Sequence, residues 1–213
     1  MEKQVKESGH IIQTFMASIK SKETGEYIES LLACFAAPTI MGLKPGNLIN
    51  LRRVGDGAVA ATWGSRKEEL LRKFKVEAFT FPSRMRGEDS GVLIMLYKKE
   101  LLARAIFARR AWAMLEPLGY GQGIPSVDRC VEHLGERFKN DFPHEIGLFL
   151  GYPPEDVEGF IRNQGRGSLA CGYWKVYGDV GRARETFRLF QRVEHNVAWS
   201  LIRKAAAAKQ REA

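Results

Sequence analysis

Residues 141–160, DFPHEIGLFLGYPPEDVEGF, place His144 and Glu145 directly after a Phe-Pro pair. His144 is predicted to fall in the first turn of a short helix, where the helix dipole disfavours a charged imidazole. A neutral histidine can act as a base, a hydrogen-bond partner or a metal ligand. A structural role explains the same residues equally well: His144 would brace the turn, and Glu145 would complement the helix N-terminus.

Cys34 is a second candidate for chemistry, because a cysteine paired with a histidine can form a thiol nucleophile. An enzyme that uses Cys34 as nucleophile and His144 as base is therefore one hypothesis. The position of Cys34 near the end of a predicted helix argues against it, since the dipole there raises a thiol pKa. Its place in an apolar stripe predicts a small buried side chain instead. Cys130 and Cys171 are predicted to lie in the core as well.

The segment GLKPGN, residues 42–47, forms the most loop-like polar cluster of the chain. Lys44 supplies a positive charge, Asn47 an amide, and the glycines leave backbone amides free, a combination that can bind an anion. The spacing is not that of a P-loop. A simple turn between two elements is the alternative.

Four aromatic residues could line a pocket for a flat ligand: Tyr152, Tyr173, Trp174 and Tyr177. In a strand over residues 169–177, Tyr173, Lys175 and Tyr177 would share one face, and Trp174 would lie on the other. One of these two faces is expected to belong to the core.

The elements that must position these residues follow from the spacing of apolar side chains. Helices are predicted over residues 22–36, 65–74, 98–118, 126–138 and 179–204, with two short helices meeting at a Gly-Tyr-Pro-Pro corner. Strands are predicted over residues 53–63, 76–81, 92–97 and 169–177, the second and third pairing as a hairpin. Residues 37–51 and 83–91 are predicted to be rich in turns.

These elements do not alternate regularly, which indicates an α+β fold: a small, mainly antiparallel sheet of three or four strands covered by six or seven helices. The 213 residues are expected to form a single domain, 1–213, with a frayed tail at 205–213. Three scattered cysteines and the absence of metal-binding spacings predict neither a disulfide framework nor a metal site.

Composition limits the partners of the protein. The net charge of +8 permits binding to polyanions, but the basic residues are spread and no nucleic-acid motif with interleaved aromatics occurs, so nucleic acid is not the expected partner. The longest mostly apolar window, residues 31–43, is too short for a membrane span, and the N-terminus lacks a signal-peptide pattern. We expect a cytoplasmic protein; the residues identify no cofactor and no oligomeric state.

Three blocks of the chain together resemble a known family. They are CFAAPTIMGLKPGNLINL at 34–51, FPHEIGLFLGYPPEDVEGFI at 142–161 and GYWKVYGD at 172–179. The family is domain of unknown function 3793, whose members are uncharacterised proteins of anaerobic bacteria, and the similarity covers nearly the whole chain. The resemblance implies an anaerobic cytoplasm and an association with iron or redox metabolism, but no activity, substrate or cofactor.

Two hypotheses of function follow. The first is an accessory protein that binds a partner or a small anionic or aromatic ligand, with a site built from Lys44, Asn47, His144, Glu145, Tyr152, Tyr173, Lys175 and Tyr177. The second is a thiol-dependent enzyme that uses Cys34 and His144. The first requires the three blocks to share a pocket, and the second requires Cys34 and His144 to meet in an open cleft.

Overall fold

The structure, a computed structural model, describes residues 2–53, 57–81, 91–123 and 125–212. Within these ranges the chain forms ten α-helices and five short strands, which confirms the α+β class. The helices are α1 Glu2–Ile19, α2 Thr24–Phe35, α3 Ala37–Ile40, α4 Val59–Phe74, α5 Lys99–Ile106, α6 Arg109–Leu115, α7 Val127–Asn140, α8 Ile146–Phe149, α9 Pro154–Arg162 and α10 Val180–Glu212. The strands are β1 Gly46–Leu51, β2 Glu77–Thr80, β3 Val92–Tyr97, β4 Ala170–Cys171 and β5 Lys175–Val176.

The main sheet is antiparallel and has the order β1-β3-β2. The central strand β3 pairs Tyr97 with Gly46 on one side and with Glu77 on the other. Successive residues of β3 enter two different core clusters: Met95 belongs to one cluster and Ile94 to the other. Burial on both faces explains why this strand has a continuous apolar run. The predicted pairing of residues 76–81 with 92–97 is confirmed.

Strand β1 was not predicted, because its sequence, GNLINL, follows a run of turn formers. Six backbone pairings with β3 hold it in the sheet despite its glycine and two asparagines. Gly46 and Asn47 are therefore strand residues, and only the first part of the predicted 42–47 loop is a turn.

The predicted strand at residues 53–63 is wrong where the structure describes it, because α4 begins at Val59. The buried positions Val59, Trp63 and Leu70 are four and seven residues apart, which is helical spacing. Residues 54–56 of this prediction, and nearly all of the predicted turn at 83–91, lie outside the described residues.

The predicted helix over residues 98–118 is divided into α5, α6 and a short 3-10 turn, Glu116–Leu118. Ile106 and Ala111 both enter the core but are five residues apart, a spacing that one continuous helix would turn away from a common face. The break at Ala108, which has an extended backbone, returns both residues to the core.

Residues 169–177 form a tight hairpin and not the single strand that was predicted. β4 and β5 pair antiparallel, and the Gly172 amide donates to the Trp174 carbonyl across the turn at 3.0 Å. Gly172 lies directly against the Phe187 ring of α10, where a Cβ atom would come within 2.3 Å. The hairpin thus turns where it packs on the last helix.

The predicted helix over residues 179–204 lies within α10, which buries Ala183, Phe187, Phe190 and Val193 and leaves Val197 and Leu201 half-buried. The helix continues through residues 205–212, where fraying in solution stays a prediction. No helix in the described ranges is long and apolar enough to cross a membrane.

Candidate functional site

The three blocks of sequence meet around one cavity of about 530 Å³. It lies between the start of β1, the α8–α9 corner and the β4–β5 hairpin. Six of the eight predicted ligand-binding residues line it: Lys44, Asn47, His144, Tyr152, Tyr173 and Lys175. Glu145 and Tyr177 do not, although both lie in the same segments.

A close contact between two turns positions Lys44. Gly151, at the end of α8, has φ +77°, and a Cβ atom there would lie 2.4 Å from Cδ of Pro45. The Pro45 carbonyl accepts a hydrogen bond from the Lys98 amide at 2.9 Å. The α8–α9 corner and the start of β1 are therefore packed against each other, and they present Lys44 to the cavity.

Aromatic rings form much of the wall of this cavity, so we call it the aromatic cavity. The rings of Tyr152 and Trp174 are stacked, with centroids 5.0 Å apart and an interplanar angle of 27°. Phe142 and Phe160, which were not predicted, also line the cavity. Both lie in the 142–161 block, so their place in that motif was the available signal.

Asp156, a third residue that was not predicted, fixes the orientation of Trp174. Its buried carboxylate accepts the indole N–H of Trp174 on Oδ2 at 2.7 Å. Its Oδ1 accepts the backbone amides of Tyr177 and Gly178 at 2.7 and 2.8 Å. In the sequence, an acidic residue just after Pro-Pro is typical of a helix N-terminus, which hid this role.

Lys44 is 7% exposed, and its ammonium forms no hydrogen bond or ion pair with any described residue. The nitrogen lies 5.8 Å from the ring centroid of Tyr152 and 5.6 Å from that of Phe190. Burial lowers the Lys44 pKa to about 8, and the negative charge of Glu194 partly opposes this shift. The cavity therefore contains a desolvated amine whose charge is weakly compensated.

Glu194, on α10, is an acidic residue whose charge acts on Lys44, and it was not predicted as a site residue. It accepts a hydrogen bond from the Tyr173 hydroxyl at 2.6 Å. Burial raises the Glu194 pKa to about 7, while the Tyr173 hydrogen bond and Lys44 act in the opposite direction. Tyr173 and Glu194 also line a more open cavity of about 630 Å³ on the α1 side of β1, so this pair lies between two cavities.

His144 and Lys175 are exposed residues that line the aromatic cavity. The His144 ring makes an edge contact with Phe160, with centroids 5.0 Å apart. The Lys175 ammonium donates to the Gly165 carbonyl at 2.7 Å. His144 precedes α8, which begins at Ile146, and lies in the turn before it.

Glu145, Tyr177 and Asn47 have roles within the fold. Glu145 is buried, ion-paired with Arg137, and accepts a hydrogen bond from the Tyr120 hydroxyl at 3.1 Å. Tyr177 packs against Gly159, and its hydroxyl is buried without a partner among the described residues. Asn47 lines the cavity, but its amide donates to the Phe35 carbonyl at 2.7 Å.

Cys34 does not line the aromatic cavity. Cys34 is fully buried in α2, as predicted, and its thiol donates to the Glu194 backbone carbonyl at 3.7 Å. Burial, together with the charge of Glu194, raises the Cys34 pKa to about 12. Its surroundings therefore oppose the thiolate that an attack on a substrate requires.

The other two cysteines differ in exposure. Cys130 is buried, as predicted. Cys171 is exposed and lines the aromatic cavity, so the prediction that Cys171 lies in the core is wrong. It is exposed because the hairpin turn follows it directly. In the described part of the chain, no group of three or more histidine, cysteine or acidic side chains is placed to hold a metal ion.

Comparison with known proteins yields one family. A family model described as protein of unknown function (DUF3793) matches residues 32–209, a range that contains all three blocks. No curated protein and no solved structure matches significantly.

Proposed function

The chain belongs to the DUF3793 family, and we propose that it is a small-ligand-binding protein whose ligand contains a planar aromatic ring system. One observation carries this proposal: three separate segments of the chain, within residues 44–48, 142–160 and 171–175, converge on a single cavity with aromatic walls. Its volume of about 530 Å³ falls in the range typical of small-molecule sites, roughly 300–1,000 Å³.

The arrangement of the walls favours a flat ligand. Tyr152 and Trp174 are already stacked, and a planar ring system can extend that stack with offset or edge contacts. The hydrogen bond to Asp156 holds the indole of Trp174 in place before any ligand arrives. Such preorganisation reduces the ordering cost of binding.

Cys171 provides an intrinsic probe of the cavity. It is exposed and lines the cavity, whereas Cys34 and Cys130 are buried. Alkylation of the native protein by iodoacetamide should therefore occur at Cys171. We expect 2-naphthoate or naphthalene-2-carboxamide to slow this alkylation, and cyclohexanecarboxylate, which has no aromatic ring, to leave its rate unchanged.

A pair of variants tests the role of the stack. Tyr152→Leu removes a ring of the cavity wall and should weaken the protection of Cys171. Phe107→Leu removes an aromatic ring that is exposed elsewhere on the surface and should have no effect. The proposal would be wrong if neither two-ring compound changed the labelling rate of the wild-type protein.

A further inference from the structure

Three charged residues are buried in the described chain: Lys44, Glu145 and Asp156. Glu145 is paired with Arg137, and Asp156 accepts three hydrogen bonds. Lys44 alone has neither an ion pair nor a hydrogen bond to a described residue. The Lys44 side chain is largely removed from solvent and its ammonium faces the cavity, and such a desolvated charge without an ion pair is costly. An anion bound in the cavity would offset this cost.

Glu194 does not fill this role. Its carboxylate is engaged by the Tyr173 hydroxyl, and no ion pair joins it to Lys44. It acts on Lys44 through space, and this attraction is not enough to offset the desolvation of the ammonium. An anion in direct contact with Lys44 would form the charge-assisted hydrogen bond that is missing.

The charges around the cavity favour an anion of single charge. Asp156 lines the cavity and Glu194 lies beside it, so negative charge is already present. On the positive side, Lys175 is exposed and already bonded to the Gly165 carbonyl, and His144 is exposed as well. A single free ammonium matches a carboxylate better than it matches a doubly charged phosphate.

Lys44 also lines a smaller adjoining cavity of about 210 Å³. The carboxylates of Glu155, Asp156 and Asp179 line that space too, and its one further cation, Arg182, is exposed. Three carboxylates disfavour an anion there. The aromatic cavity, in which the rings adjoin Lys44, is the better place for it.

On the basis of the proposed function, we infer that the ligand is an aromatic monocarboxylate, whose ring system lies in the aromatic cavity and whose carboxylate pairs with the Lys44 ammonium. The stacked ring of Tyr152 is a neighbour of the ammonium. A carboxylate borne on or next to the ring system can therefore reach Lys44 while the rings remain in contact with the wall.

Two probes of nearly equal shape test this inference. 2-Naphthoate carries the carboxylate, and naphthalene-2-carboxamide replaces it with a neutral amide. Calorimetric titration at pH 7 should give the wild-type protein a preference for the carboxylate of at least about tenfold, the size expected for a hydrogen bond to a charged group.

Two lysine variants locate the preference. Lys44→Met keeps an unbranched side chain of similar length without the charge, and it should abolish the preference for the carboxylate. Lys139→Met removes an exposed cation that does not line this cavity and should keep the preference within about threefold, as expected for a solvated charge.

The outcomes separate the two proposals. If the wild-type protein binds both probes equally, or if Lys44→Met keeps the preference, the inference is wrong while the aromatic site stands. If neither probe binds the wild-type protein, the proposed function fails, and the inference fails with it.

Discussion

Lys44 is the residue at which binding and stability are expected to oppose each other. Burial lowers its pKa from 10.5 to about 8, so folding disfavours its charged form. Lys44→Met removes this cost, and we predict an increase in the free energy of unfolding on the order of 2 kcal/mol at pH 7. Urea unfolding of the two proteins measures the difference. A residue with a purely structural role would lower stability on substitution.

The pH dependence of this gain has a definite sign. Between pH 8 and 10.5 the unfolded chain still holds the Lys44 proton while the native protein has released it, so wild-type stability rises with pH in this window. The advantage of Lys44→Met should therefore be largest below pH 8 and small near pH 10. Lys139→Met, which alters an exposed lysine, should show no such trend. A constant advantage across the window would contradict this account of Lys44.

The pair formed by Arg137 and Glu145 is predicted to stabilise the fold without contributing to binding. Among the described residues, Arg137→Met leaves the buried Glu145 carboxylate with the Tyr120 hydroxyl as its one partner, which should cost about 3 kcal/mol. Lys139→Met, in the same turn of α7, breaks an exposed pair with Glu136 and should cost about 1 kcal/mol or less. Urea unfolding compares the two variants. A weaker affinity of folded Arg137→Met for 2-naphthoate would instead place Glu145 in the site.

The sequence placed Glu145 in the site because it adjoins His144, and this is where reasoning from spacing failed. Neighbouring residues in a turn point in different directions: His144 reaches the cavity, whereas Glu145 turns into the core. For Lys44, the sequence identified the residue but not its burial. Its loop was recognised as a site for an anion, but the burial that makes it unusual depends on Tyr152 and Phe190, both more than 100 residues away.

At the scale of elements, the contact between Gly151 and Pro45 should control the position of Lys44. Gly151→Ala adds a Cβ atom 2.4 Å from Pro45 in a backbone conformation with φ +77°. We expect a loss of about 2 kcal/mol or more in the free energy of unfolding. We also expect weaker binding of 2-naphthoate, because the displaced Pro45 carries Lys44 with it.

Gly167→Ala is the matched control for this prediction. Gly167 also has a positive φ, +66°, but no heavy atom lies within 4 Å of its Cβ position. This variant should lose only about 1 kcal/mol, from backbone strain alone, and should keep its affinity. Equal effects of the two alanines, measured by urea unfolding and calorimetric titration, would show that the corner does not position the site.

Elements were predictable where a local signal decided them. The helix predicted over residues 126–138 corresponds to α7, which Ser126 caps by accepting the Arg129 amide at 3.3 Å, and the apolar run of β3 forms the central strand. Strand β1 was missed because its pairing with β3 is what makes it a strand. The hairpin turn at Gly172 was missed because it depends on close packing against Phe187.

At the scale of the whole molecule, the aromatic cavity forms only when three separate segments of the chain have come together. Lys44 precedes β1, Tyr152 lies between α8 and α9, and Trp174 belongs to the hairpin that packs on α10. The sequence could name most of these residues as motifs. It could not give the volume they enclose or the burial of Lys44 without an ion pair to a described residue, because both depend on the assembled fold.

The tryptophans test the central claim, that this cavity binds a planar aromatic ligand. The chain has four: Trp63, Trp112, Trp174 and Trp199. Among the described residues, Trp174 is the one of these four that lines the aromatic cavity. A ¹H–¹⁵N spectrum of the labelled protein resolves one indole signal for each tryptophan, so titration with 2-naphthoate reports on all four positions at once. We predict a saturable shift of the Trp174 signal, with the other three nearly unchanged. An unmoved Trp174 signal, or equal small shifts of all four, would contradict the proposed site.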